Sequence, residues 1–166
     1  MANTSLLKTL VEPYVRERLA EEYGQPFFQR FLPLPGGGCH EFDAVTEDGA
    51  IVTSIKSNSG LTSSGRRPGG KILACYAELY YLAQISAPTR LLVLTNPDFF
   101  EIFERDSRGK LVPGVELKLV PLAPDVQEQV TAVTAAASRE MAGQPDIAAE
   151  VADLAVSGEL QPEQET

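Results

Sequence analysis

A carboxylate, a hydroxyl and an ammonium group stand close together in one short run of this chain. The run reads His40-Glu41-Phe42-Asp43-Ala44-Val45, then Glu47-Asp48-Gly49, then Ile51-Val52-Thr53-Ser54-Ile55-Lys56. Asp-Gly flanked by alternating apolar residues is a strong local signal for a β-hairpin. The spacing therefore predicts Asp43 on the first strand and Lys56 near the end of the second. Side chains alternate faces along a strand, so Ser54 and Lys56 point to the same side. A carboxylate and an amine meeting at a hairpin can hold a divalent metal and steady a phosphate.

This arrangement resembles the PD-(D/E)xK nuclease superfamily, in which a hairpin supplies an Asp from one strand and an acid-x-Lys from the next. Asp43 matches the first acid and Lys56 the lysine, while Ser54 stands where the second acid belongs. The resemblance implies a restriction-endonuclease-like α/β fold, a three-layer core with a mixed central sheet flanked by helices, followed by a C-terminal helical extension. It also implies hydrolysis of DNA phosphodiester bonds with Mg²⁺ or Mn²⁺. Some members carry a small residue before the lysine and take the acid from the following helix. Glu78 matches that exchange and makes Asp43 and Glu78 the expected metal ligands, with Lys56 and Ser54 completing the catalytic set. A glutamate at position 78 also suits the solvent side of an amphipathic helix. If Ser54 marks a loss of chemistry, the chain is instead an inactive nuclease-like fold that binds nucleic acid or protein.

Other groups offer less. Glu41 shares a strand face with Asp43, and Glu17 or Glu21 on the first helix could approach the site. His40 suits a base, a ligand or a hydrogen-bonded structural residue. Cys39 and Cys75 read as packing residues rather than nucleophiles, because neighbours on a strand such as Cys39 and His40 face opposite ways.

The elements that must position these groups follow from periodicity. Ser5 to Glu22 reads as a helix with an apolar stripe through Leu6, Leu7, Leu10, Val11, Tyr14, Val15 and Leu19, which Pro13 would kink or start late. Phe27 to Leu34 suits an edge strand or an irregular approach to the sheet. Residues 57 to 70 lack apolar periodicity and read as a loop. Lys71 to Ala87 reads as a helix with Ile72, Leu73, Tyr76, Leu79, Tyr80 and Ala83 on one side. Arg90 to Thr95 is the continuous apolar run of a strand buried on both faces. A short helix over Phe99 to Glu104 and a strand over Val115 to Leu122 complete an order that matches the nuclease core. Residues 125 to 140 and 145 to 156 are alanine-rich and helical in pattern. The resulting division is a core over 1–123, a helical extension over 124–157 and a polar tail over 158–166.

At 166 residues the chain suggests a single domain. Two cysteines are too few for a disulfide scaffold, and one histidine excludes most zinc sites. No segment reads as a signal peptide or membrane span, so a reduced, cytoplasmic protein is expected. The net charge of −9 disfavours nucleic acid at first sight. Its distribution weakens that objection: residues 124–166 hold nine acids and one base, which leaves the rest at a net −1. Within 49–77 lie Lys56, Arg66, Arg67 and Lys71 and no acid. Local potential governs attraction of a phosphate backbone, so Arg66, Arg67 and Lys71 are the expected DNA contacts, unless that stretch is merely a solvated loop. A homodimer would present two sites to a duplex.

Overall fold

The computed structural model describes residues 2–58, 65 and 67–142, with side chains described from 8 to 133. Arg66, the expected helix over 145–156 and the tail over 158–166 lie outside the described residues.

The hairpin forms where the sequence places it. Strand β2, Cys39–Thr46, turns into β3, Ile51–Lys56, and the two pair antiparallel through Ala44–Thr53 and Val45–Val52. Gly49 takes a φ of 71°, which the turn requires and a side chain would resist. Asp48 secures the turn by accepting from the Thr46 hydroxyl at 2.7 Å and from the Ala50 N–H at 3.0 Å. Strand β1, Phe27–Pro33, joins β2 as an antiparallel edge. β4, Thr89–Leu94, and β5, Val115–Leu119, add in parallel beyond β3, which gives a mixed sheet of order β1-β2-β3-β4-β5.

Parallel neighbours need crossovers, and two helices supply them. Helix α2, Gly69–Gln84, links β3 to β4, and α3, Pro97–Ser107, links β4 to β5. Asn96 starts α3 by accepting from the Phe99 N–H at 2.9 Å, with Pro97 at the first helical position. Helices α1, Ala2–Tyr23, and α4, Pro124–Ala142, cover the other face. Each face of the sheet has its own apolar cluster. Val52, Leu92 and Leu94 pack under α2 and α3, while Ile51, Ile55, Leu91 and Val93 pack under α1 and α4. The protein is thus α/β, with a five-stranded mixed sheet between two helical layers.

One helix face departs from expectation. α2 buries Ile72, Cys75, Leu79 and Leu82, whereas Leu73 and Tyr80 are 70% and 64% exposed. At 100° per residue, the expected stripe would leave Glu78 about 160° from its centre; the observed stripe leaves it only about 80° away. The rotation carries Glu78 from the solvent side to the flank that faces the hairpin. Arg90 fixes the far end of α2. Its Nη1 lies 3.3–3.4 Å from the Leu82, Ala83 and Ile85 carbonyls and its Nη2 2.5 Å from the Pro113 carbonyl. The Ala83 and Ile85 carbonyls belong to the helix end, where intrahelical partners run out, while the Leu82 carbonyl also accepts from the Ile85 N–H at 3.2 Å and the Pro113 carbonyl lies in the turn before β5. Arg90→Ala is expected to lower stability by about 2 kcal/mol in urea unfolding, the cost of orphaning charge-assisted acceptors.

Candidate active site

Asp43 owes its position to an irregularity in β2. Phe28 pairs with Val45 and Arg30 with Phe42, so Asp43 and Ala44 together oppose the single residue Gln29. Such a bulge re-aims side chains and breaks the alternation of faces. Phe42 and Val45 accordingly both join the cluster under α2, while Ala44 joins the one under α1. Beyond the Ala44–Thr53 pair, the Ile55 N–H is met by the Asp43 Oδ2 at 2.7 Å instead of by a strand carbonyl. The Asp43 carbonyl accepts from Arg16 Nη1 at 2.7 Å, which ties the bulge to α1. The strands part here and a cavity of about 380 Å³ opens.

Lys56, the last residue of β3, enters that cavity with its backbone held in the sheet by the Thr95 N–H at 3.2 Å. Its Nζ lies 2.6 Å from Glu78 Oε1. The second Glu78 oxygen accepts from the Ser54 hydroxyl at 3.0 Å and lies 3.3 Å from His40 Nε2. His40 is held flat on Tyr81, centroids 3.8 Å apart, and edge-on to Phe42. Ser54 is fully buried and reaches the cavity only through Glu78. The structure therefore brings Asp43, Ser54, Lys56 and Glu78 to one place, with Ser54 and Lys56 on the face expected of them.

The first helix contributes residues that sequence reading passed over. Glu12 and Lys8 line the cavity, whereas Glu17 and Glu21 pair with Arg18 instead. Glu12 is 8% exposed and lies 3.5 Å from Arg16. Lys8, Glu12 and Arg16 recur at intervals of four, the spacing that aligns charges along one helix face. That pattern was the available signal. Glu41 lines the cavity too, and its carboxylate is bound by Lys8 at 3.2 Å.

Charge is unevenly satisfied. Burial raises the Asp43 carboxyl above its ordinary 3.8, outweighing the Ile55 bond and Lys56, and the neighbouring Glu78 pushes the same way. Burial, then Asp43, likewise raises Glu12. Burial alone would raise Glu78 also, but Lys56, Ser54 and His40 together hold it below the ordinary value. Hydrogen bonds from Gln29 and Lys8 hold Glu41 below its ordinary value, so the cavity contains two compensated carboxylates, Glu41 and Glu78, and two that resist ionising, Asp43 and Glu12. Cys75 behind it is pushed up to about 12 by burial, which disfavours a thiolate, and it is fully buried in the cluster under α2, in agreement with a packing role. Cys39 is exposed, so the packing role expected for it does not hold; it falls at the start of β2, before the strand enters the core.

Among the described residues, no three His, Cys, Asp or Glu side chains converge tightly enough to cage a metal ion unaided. The donor set nevertheless fits Mg²⁺, which takes one or two carboxylates and fills its coordination with water and phosphate oxygens. Asp43 has acceptor capacity beyond its single Ile55 bond, and it shares the cavity with three further carboxylates, Glu12, Glu41 and Glu78, against the lysines Lys8 and Lys56. Two of the expected DNA contacts, Arg67 and Lys71, lie elsewhere. Arg67 pairs with Asp106 of α3 and does not line this cavity, nor does Lys71 in the first turn of α2. Among the described residues, no helix is long and apolar enough to cross a membrane. Comparison of the chain with protein-family models, with curated proteins and with solved structures gives no match.

Proposed function

We propose that this chain is a metal-dependent nuclease of restriction-endonuclease-like fold that hydrolyses DNA phosphodiester bonds. The observation that carries the reading is the meeting of Asp43, Glu78 and Lys56, from three separate elements, in one cavity lined by four carboxylates and two lysines. Asp43 and Glu78 would hold Mg²⁺ or Mn²⁺, which when bound polarises the phosphate and makes water a stronger nucleophile. Lys56 places an ammonium where negative charge grows on the phosphate oxygens. Ser54 and His40 position the Glu78 carboxylate from behind, and burial of the surroundings strengthens each interaction.

A second reading draws on the closed bonding of Glu78. Both of its oxygens are already engaged by Lys56, Ser54 and His40, which suits an inactive fold that binds nucleic acid or protein. The two readings part on Lys56→Ala. For the nuclease, single-stranded, double-stranded or branched DNA is cut with Mg²⁺ or Mn²⁺ and spared in EDTA. The variant then loses about a hundredfold or more in rate while its circular dichroism is unchanged. Full activity in Lys56→Ala, or cutting in EDTA, would sink the assignment. No cutting of any substrate, together with no heat of Mn²⁺ binding, would select the second reading.

A further inference from the structure

Another cavity, of about 620 Å³, lies on the opposite flank of α2 and shares no lining residue with the first. Arg67, Arg105, Arg108 and Lys110 bring four cations to its wall and Asp106 brings one carboxylate. Asp106 is already committed. It pairs with Arg67, lies 3.6 Å from Lys110 Nζ, and accepts from the Tyr76 hydroxyl at 2.8 Å. Its side chain is only 13% exposed, so it acts as a fixed post that orients Arg67 and Lys110. Arg105 and Arg108 are exposed and have no ion pair among the described residues.

The end of α3 accounts for part of this charge, since a helix C-terminus carries about half a negative charge. Four cations against one carboxylate exceed that by a wide margin. A concave surface with such a surplus concentrates anions, and guanidinium forks match phosphate oxygens in geometry. One phosphate carries about −1.5 to −2, so a surplus of this size suits more than one. The uncapped first turn of α2, which follows directly on the cavity residue Pro68, adds its own positive end.

We infer that this cavity binds a ligand carrying two or more phosphates, gripped by Arg67, Arg105, Arg108 and Lys110, with Asp106 as the positioning residue. Two sources share that chemistry: a free polyphosphate such as a nucleoside triphosphate, and the backbone of a nucleic-acid strand. The site stands apart from the nuclease reading, because its variants leave the Asp43 cavity untouched.

The test is titration calorimetry on the full chain with three probes: inorganic pyrophosphate, a nucleoside triphosphate and a short single-stranded oligonucleotide. EDTA is present throughout so that the strand stays intact. The comparison protein carries Arg105→Gln together with Arg108→Gln, exposed positions whose change spares every recorded contact. Loss of two charge-assisted contacts should weaken binding by about a hundredfold. Weakened pyrophosphate and triphosphate binding identifies a free polyphosphate as the source. Weakened oligonucleotide binding alone, with a salt slope reduced by about 2, identifies the strand. No binding of any probe, or binding unchanged in the double variant, would overturn the inference.

Discussion

Asp43→Asn is expected to abolish metal-dependent cleavage, by on the order of a thousandfold, and at the same time to make the protein harder to unfold. The amide keeps an oxygen to accept the Ile55 N–H, so the bulge in β2 loses no bond. What it removes is a partly buried charge beside Glu12 and Glu78. The sign of the effect follows from linkage. The folded-state value of Asp43 lies above 3.8, so the folded chain keeps this proton to higher pH than the unfolded chain does. The stability tied to that proton is present at low pH and is lost as pH rises through the folded value. At neutral pH the ionised carboxylate therefore opposes folding, and its removal should add about 1 kcal/mol. Urea unfolding at pH 7 checks this, and the advantage of the variant should shrink as the pH falls towards 3.8. A variant less stable than wild type at pH 7 would show that the charge is already compensated. A stabilising loss of function is the signature of an active site held against its own electrostatics.

Glu78→Ala should move stability the other way. Glu78 gathers Lys56, Ser54 and His40, and its removal strands a half-buried ammonium and a fully buried hydroxyl. Leaving such groups without a partner costs about 2–3 kcal/mol. The folded value of Glu78 lies below 4.5, so its contribution is present above that pH and is lost as pH falls through the folded value. Its pH trend is thus opposite to that of Asp43, and unfolding curves of the two variants between pH 4 and neutrality should diverge. Cleavage should fall as far as in Asp43→Asn, since both acids are assigned to the metal. Equal stability of Glu78→Ala and wild type would mean that the recorded contacts contribute nothing, and would remove the basis for placing Glu78 in the site.

The hairpin was legible because its signal is local: Asp48-Gly49 dictates the turn, and the alternation through Ser54 and Lys56 fixes their shared face. β4 was legible for the same reason, its continuous apolar run being buried on both sides. The setting of α2 was not. Its apolar arc is wide enough to seat on Leu73 and Tyr80 or on Cys75 and Leu82, and only the sheet beneath decides. That choice turns Glu78 from a solvent residue into the partner of Lys56. The bulge at Asp43 was hidden too, because it depends on how β1 registers against β2 and nothing within His40–Thr46 records that. Glu12 lay within view as one of three charges spaced by four, but its meeting with Asp43 is long-range. The pairing of Arg67 with Asp106 is another such contact, and it moved an expected DNA residue to a different cavity.

The most direct test is to incubate folded wild type and Asp43→Asn side by side with single-stranded, double-stranded and branched DNA, in Mg²⁺, in Mn²⁺ and in EDTA. Cutting by the wild type that requires the metal and disappears in Asp43→Asn, with both proteins folded, is the predicted result. Metal-dependent cutting that survives in Asp43→Asn would contradict the assignment of this carboxylate, and with it the site.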